Sequence, residues 1–244
     1  MSKIAKGGYA SSYGQAIGII LLDATHPKIP GDIGNATTFD FPVKYLVLKG
    51  VKGPKVVYDL DSSILEPFIS AAKKLEEEGA KAITTSCGFL ALFQQEIANA
   101  VKIPVFTSSL IQVPLVYRML GNHHKVGIIT IDSLSLTERH FDAVGAKSIP
   151  KVVMGTEEGK EFSKALMGNN SVLDIEKATE DLVFTANKLV SNYPEVGAIV
   201  FECANMAPYA KAVQDAVKLP VFNIVTLTNM VYSGVIAKNF IGYM

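Results

Sequence analysis

The chain contains the same segment twice. Displaced by 116 positions, AITTSCGFLALFQQEIANAVKIPVF (82–106) aligns without a gap on AIVFECANMAPYAKAVQDAVKLPVF (198–222), with 10 of 25 positions identical. A second echo sets IGIILLD (17–23) against VGIITID (126–132), at an offset of 109. A chain written this way is expected to fold as two similar halves, since each repeat is one structural unit. The chain has two cysteines, and the repeat superposes them: Cys87 falls on Cys203.

Within each copy, short apolar runs alternate with amphipathic segments. Ile17–Leu22, 80–86 and 103–107 read as buried strands of the first copy. Between the first two lies a helix, with Ser63 and Glu66 as a capping box, Phe68, Ile69, Ala72 and Leu75 on one face, and Gly79 as its stop. A second helix is expected over 88–100. The second copy gives strands at 126–131, 197–202 and 219–224, a helix at 174–191 behind Ser171 and Asp174, and another at 207–217. This alternation predicts an α/β fold of two pseudo-symmetric lobes, each a parallel sheet flanked by helices, with a cleft between them. The expected division is 1–107 for the first lobe, completed by 224–244, and 108–223 for the second.

Both thiols stand where a strand turns into a helix, the place where open α/β sheets bind ligands. A helix start favours a thiolate and a bound carboxylate. Gly88 allows the backbone to approach a ligand closely. A single cysteine at a strand end is more often a small buried hydrophobe. Here, however, apolar positions have drifted between the copies while the thiol has not. Two thiols facing one ligand can deprotonate a stereocentre on one face and reprotonate it on the other.

Composition narrows the partners. Lys plus Arg equals Asp plus Glu at 23 each, so no net field attracts nucleic acid. No apolar stretch approaches the roughly 20 residues of a bilayer span. The opening MSKIAK before the apolar run 16–22 faintly resembles a signal peptide, but that run ends at Asp23 without a small-residue cleavage site and reads as a first strand. Two cysteines without C-x-x-C or paired His spacing suggest neither a disulfide framework nor zinc, and fit a reducing cytoplasm. The chain has no Gly-rich phosphate fingerprint and no lysine adjacent in sequence to either thiol, so no nucleotide, pyridoxal phosphate or metal cofactor is expected.

With TTSCGF and FECANMAPY as the two motifs, the chain resembles the aspartate/glutamate/hydantoin racemase superfamily, which works without pyridoxal phosphate. The resemblance spans nearly the whole chain. It implies Cys87 and Cys203 as acid/base pair and Gly88, Phe89, Ala204 and Asn205 as holders of a substrate carboxylate. It further implies racemisation of an amino acid or a derivative such as a hydantoin, and a possible homodimer. Two departures argue against a dedicated glutamate racemase: Asn205 replaces the usual histidine two residues after the second cysteine, and DATHPKIPGDIGNATTFDFP replaces an Asp-Ser-Gly pattern. A related arylmalonate decarboxylase keeps only the second-lobe cysteine. A decarboxylase, a maleate-type isomerase and a small-carboxylate binding protein are the alternative readings.

Further candidates lie in the loops. Asp32 and Asn35 are expected to reach substrate or simply to shape a turn, and Thr130, Asp132 and Ser133 stand at the echoed strand end. Thr107–Ser109 would line the floor or cap a helix. His26 is a candidate ligand contact, and His123-His124 an exposed turn. Glu202, next to Cys203, is expected to point away from it by strand alternation.

Overall fold

The computed structural model describes residues 12–59 and 62–244. The leader-like MSKIAK segment lies outside the described residues. Among the described residues eight strands form two sheets of four. The first contains β1 (Ile17–Leu22), β2 (Val43–Leu48), β3 (Ala82–Thr85) and β4 (Val105–Phe106), in the order β2-β1-β3-β4. The second contains β5 (Lys125–Thr130), β6 (Lys151–Gly155), β7 (Val196–Phe201) and β8 (Val221–Phe222), in the order β6-β5-β7-β8. Every pairing is parallel. The repeat is therefore a repeat of topology, with β1, β3 and β4 matching β5, β7 and β8.

The reading of three strands per copy omits β2 and β6. Both are edge strands whose residues are half-buried or exposed. VKYLVL and KVVMG thus lack the continuous apolar signature that marks the central strands, and they sit inside long connections. The helix expected behind Ser63 runs Leu65–Glu77, but it is entered through a 3-10 turn at Ser62–Ile64, so Ile64 precedes its first turn and supplies no side-chain cap. The long helix Ile175–Asn192 is capped as expected by Asp174, which accepts from the Lys177 N–H at 3.1 Å.

These two helices pack over equivalent points of the sheets. A Cβ on Gly18 would lie 2.9 Å from Leu75 Cδ1, and one on Gly127 would lie 2.7 Å from Leu189 Cδ2. The glycine shared by IGIILLD and VGIITID thus marks the close approach of a helix in each half. Phe68, Leu75, Phe141, Phe162, Leu182 and Phe201 belong to one apolar core that runs through both halves. The last helix, Ile224–Val235, capped by Asn223, returns to the first sheet and packs Ile224 and Leu227 with Ile17, Ile19 and Phe106.

The helices expected at 88–100 and 207–217 share one departure. Each starts as a six-residue 3-10 segment, Gly88–Phe93 and Ala204–Tyr209, before continuing as an α-helix over Gln94–Asn99 and Ala210–Val217. The second segment contains Pro208, which has no N–H to give. Each cysteine is the residue immediately before the 3-10 segment, in extended conformation. Among the described residues no helix is long and apolar enough to cross a membrane.

Candidate active site

Cys87 and Cys203, one from each half, line a single pocket together with Gly88, Phe89, Asn205 and Glu202. The space it encloses is about 500 Å³, of which water-molecule centres can occupy about 40 Å³. Such a volume suits a ligand of a few carbon atoms. Leu22, Val57, Ile131, Leu166 and Met167 make much of the remaining wall apolar. Both thiols are free and buried.

Two further polar side chains come from the loop after β1, and sequence reasoning underrated both. Lys28 and His26 line the pocket, with Lys28 Nζ 2.6 Å from His26 Nε2. Burial first, and then the neighbouring Lys28 charge, push His26 down to about 4, so near neutrality its ring is uncharged and accepts from the ammonium. Burial lowers Lys28, while Asp32 and the two thiolates, when formed, hold its charge. A lysine does stand beside the thiols, although neither cysteine has one beside it in sequence. It is brought there by the fold of HPKIPGDIGN.

That loop is tied down by the polar residues it contains. Asn35 does not reach the pocket: its Oδ1 accepts from the Thr37 N–H at 2.9 Å and its Nδ2 donates to the Lys28 carbonyl at 2.7 Å. Asp32 is buried behind the wall, accepting from the Gly34 N–H at 2.7 Å and from Asn205 Nδ2 at 2.7 Å, with Lys28 Nζ at 3.8 Å. Gly31, at φ +96°, lies so near the second half that a Cβ there would be 3.0 Å from Pro208 Cα. The loop therefore straps the first half onto the second cysteine motif.

Burial raises the Cys87 thiol to about 12, with the Glu202 carboxylate contributing next; the N–H groups of Phe89 and Leu90 and the Lys28 charge work the other way. Cys203 is also raised well above its ordinary value, by burial and then Glu202, with the N–H of Asn205 working the other way. Its Sγ donates weakly to Asn205 Oδ1 at 3.8 Å. Two N–H groups thus favour the Cys87 thiolate and one favours that of Cys203.

Glu202 lies one residue past the end of β7 and is among the residues that line the pocket of Cys203, while its side chain takes a partner behind the wall, as strand alternation leads one to expect. Its Oε2 accepts from Thr130 Oγ1 at 2.8 Å, and its Oε1 is buried without a partner. Burial raises this carboxyl to about 8. A Cβ on Gly88 would lie 2.2 Å from both the backbone oxygen and Oε1 of Glu202, so the acid of one half lies directly against the glycine of the other.

The remaining candidates lie outside the lining. Thr130 acts on Glu202 from behind, and Ala204 is core. Thr107 bonds to Gln94, Ser108 caps the 3-10 turn Ser109–Gln112, and Ser109 Oγ donates to the Phe201 and Glu202 carbonyls, joining the halves. Asp132 accepts from the Ser135 N–H at 2.8 Å, and Ser133 lines a separate polar hollow with Glu157 and Lys188. The His123 and His124 rings are 4.0 Å apart, and His124 Nδ1 lies 3.2 Å from the Glu195 carbonyl.

No protein-family model matches the chain. Among curated proteins it is similar to a dimethylsulfoniopropionate lyase of Durusdinium sp. clade D, at 28% identity over 90% of this chain and 74% of that protein. It is also similar to dimethylsulfoniopropionate lyases 7 and 3 of Emiliania huxleyi, at 30% and 29% identity over 88% of this chain. The chain spans only 65% and 58% of those two proteins. Among solved structures, a glycine-to-cysteine variant of arylmalonate decarboxylase in a sulfate-associated form has TM-score 0.61 at 20% identity, covering 93% of this chain and 97% of that one. Allantoin racemase from Pseudomonas fluorescens has TM-score 0.60 at 14% identity, covering 89% of each chain. Glutamate racemase from Francisella tularensis in complex with D-glutamate has TM-score 0.53 at 14% identity, covering 93% of this chain and 85% of that one. The fold is that of these racemases and decarboxylases.

Proposed function

We propose that the chain is a cofactor-independent enzyme that removes a proton from the carbon next to a carboxylate, and that its substrate is dimethylsulfoniopropionate, cleaved to dimethyl sulfide and acrylate. The observation that carries the chemistry is one small pocket holding two buried thiols and a half-buried lysine. The similarity to lyases over about nine-tenths of the chain supports the choice of substrate.

The residues divide the work in this reading. The Lys28 ammonium takes the substrate carboxylate and stabilises the negative charge that grows on it as the α-proton leaves. Cys87, whose thiolate the Phe89 and Leu90 N–H groups and the Lys28 charge favour, acts as base. The electron pair of the broken C–H bond forms the double bond, and the carbon–sulfur bond breaks with its electrons going to dimethyl sulfide. The proton rests on Cys87 and returns to solvent. Substrate charge assists the base: a sulfonium beside the thiols favours the thiolate, opposing the rise that burial imposes.

Racemisation is the second reading, and Cys203 is what favours it. Elimination needs one base, whereas inversion needs an acid/base group on each face, and the second thiol occupies the equivalent turn of the other half. The test offers purified protein dimethylsulfoniopropionate, measuring headspace dimethyl sulfide. In parallel it screens amino acids and 5-substituted hydantoins in D₂O for α-deuteration. Dimethyl sulfide release without deuteration supports the lyase; deuteration of both enantiomers without dimethyl sulfide would replace it with the racemase.

A further inference from the structure

We propose that the Glu202 carboxylate is the counter-charge for the cationic head of the substrate, so that the pocket selects an onium carboxylate over a neutral-tailed carboxylate of the same shape. The inference rests on the reading of this pocket as the substrate site. It adds the residue that recognises the end of the substrate opposite its carboxylate.

Four observations carry it. Glu202 is 1% exposed, yet it is one of the residues that line the pocket, with its Oε1 against Gly88 in the same wall. Thr130 fills one carboxyl oxygen, whereas Oε1 has no protein partner, and a buried acceptor left empty is costly unless something in the pocket answers it. The other acid nearby, Asp32, is already engaged by Gly34, Asn205 and Lys28 and stands outside the lining. Finally, Lys28, Glu202 and both cysteines line the same pocket, so a cation and an acid share one wall with the sulfurs.

A pocket holding both a cation and an acid fits a zwitterion, whose two ends carry opposite charges. A sulfonium or quaternary ammonium has no N–H to donate, and its methyl groups spread the charge over an apolar surface. Leu22, Val57, Ile131 and Met167 can enclose such a head while Glu202 supplies a carboxylate beside it. Without a cation nearby, burial keeps the Glu202 carboxyl largely protonated near neutrality. An arriving onium ion shifts it to carboxylate, and the proton leaves to solvent.

The test is calorimetric binding at about pH 7 of two unreactive ligands, 3-(trimethylammonio)propanoate and its uncharged isostere 4,4-dimethylpentanoate. Buffers of different ionisation enthalpy reveal proton exchange. The wild-type protein is expected to prefer the ammonio ligand by at least about tenfold, the scale of one desolvated charge pair, and to release a proton on binding it. Glu202→Gln is expected to lose both the preference and the release while still binding the isostere. A wild-type protein that shows no preference or releases no proton overturns the proposal without recourse to the variant. Release undiminished in Glu202→Gln also overturns it, by placing the proton on a thiol. Dimethyl sulfide production is scored separately: the preference without turnover would sink the lyase reading and leave this one standing, whereas turnover without the preference would do the reverse.

Discussion

Asn205 Nδ2 donates to Asp32 Oδ2 at 2.7 Å, joining the residue two beyond the second cysteine to a turn 173 residues earlier. Asp32 also accepts from the Gly34 N–H and faces Lys28, so one buried carboxylate fixes the loop, the lysine and the second thiol motif together. Asp32→Asn would turn an amide N–H₂ toward one of these donors. The expected cost is about 1–3 kcal/mol for a buried group left unsatisfied, read as a lower midpoint in chemical denaturation. An unchanged midpoint would show that the strap does not depend on this carboxylate.

Lys28→Met keeps the length of the side chain and removes its charge. On the proposed reading KM for the carboxylate substrate rises by at least about tenfold. Because Lys28 favours both thiolates, iodoacetamide alkylation of the thiols is expected to need a higher pH in the variant. Alkylation with an unchanged pH profile would place the lysine too far from the sulfurs to serve them.

The two thiols are expected to differ. Cys87→Ser should lower elimination by on the order of 100-fold or more, the scale of losing a positioned base, whereas Cys203→Ser should lower it less. If racemisation is the true activity, each variant should instead retain solvent exchange for one enantiomer, with opposite preferences. Greater loss from Cys203→Ser than from Cys87→Ser would reverse the assignment of the base.

Glu202 makes stability depend on pH. Its folded value, about 8, exceeds the ordinary 4.5, so its contribution is full below about 4.5 and is lost as pH rises through about 8. His26 works oppositely: with a folded value of about 4 against 6.5, its contribution is present above 6.5 and lost as pH falls toward 4. Between pH 6.5 and 8 the melting temperature of the wild type should therefore fall relative to that of Glu202→Gln. Parallel curves for the two proteins would show that Glu202 does not titrate in that range.

Gly88→Ala tests the contact between the halves. The added methyl would meet the Glu202 backbone oxygen at 2.2 Å, an atom that cannot rotate aside. Overpacking of this kind costs about 1–3 kcal/mol, and the thermal melt should show it. A melt identical to wild type would mean that the halves separate at this point without penalty.

The repeat placed Cys87, Gly88, Phe89, Cys203 and Asn205 on the pocket wall because a duplicated strand-to-turn segment carries its local geometry with it. Position along the chain could not show that Glu202, one residue past the end of β7, joins the pocket lining while bonding to Thr130 on the neighbouring strand. Lys28 and His26 belong to a loop whose path is set by Asp32, Asn35 and Gly31 bonding or packing over distance, and no periodicity encodes such a path. Polar residue type left two roles open at Asn35 and Thr130, and the amide braces the loop while the hydroxyl serves the acid behind the wall. The edge strands β2 and β6 were hidden for a related reason: an edge is only half covered, so its sequence need not be apolar throughout.

The strap from Asp23 to Pro42 makes substrate choice separable from the duplicated scaffold. The two halves supply a thiol each by copying one segment, whereas the lysine and its neutral histidine partner come from the β1–β2 connection, whose residues are not echoed in the equivalent β5–β6 connection. Changes to Lys28 and His26 would alter which anionic group is welcomed, provided that Asp32 keeps its hold on Asn205 and so on the second thiol motif. An architecture of this kind can diversify through one connection while the reactive pair stays with the duplicated segments.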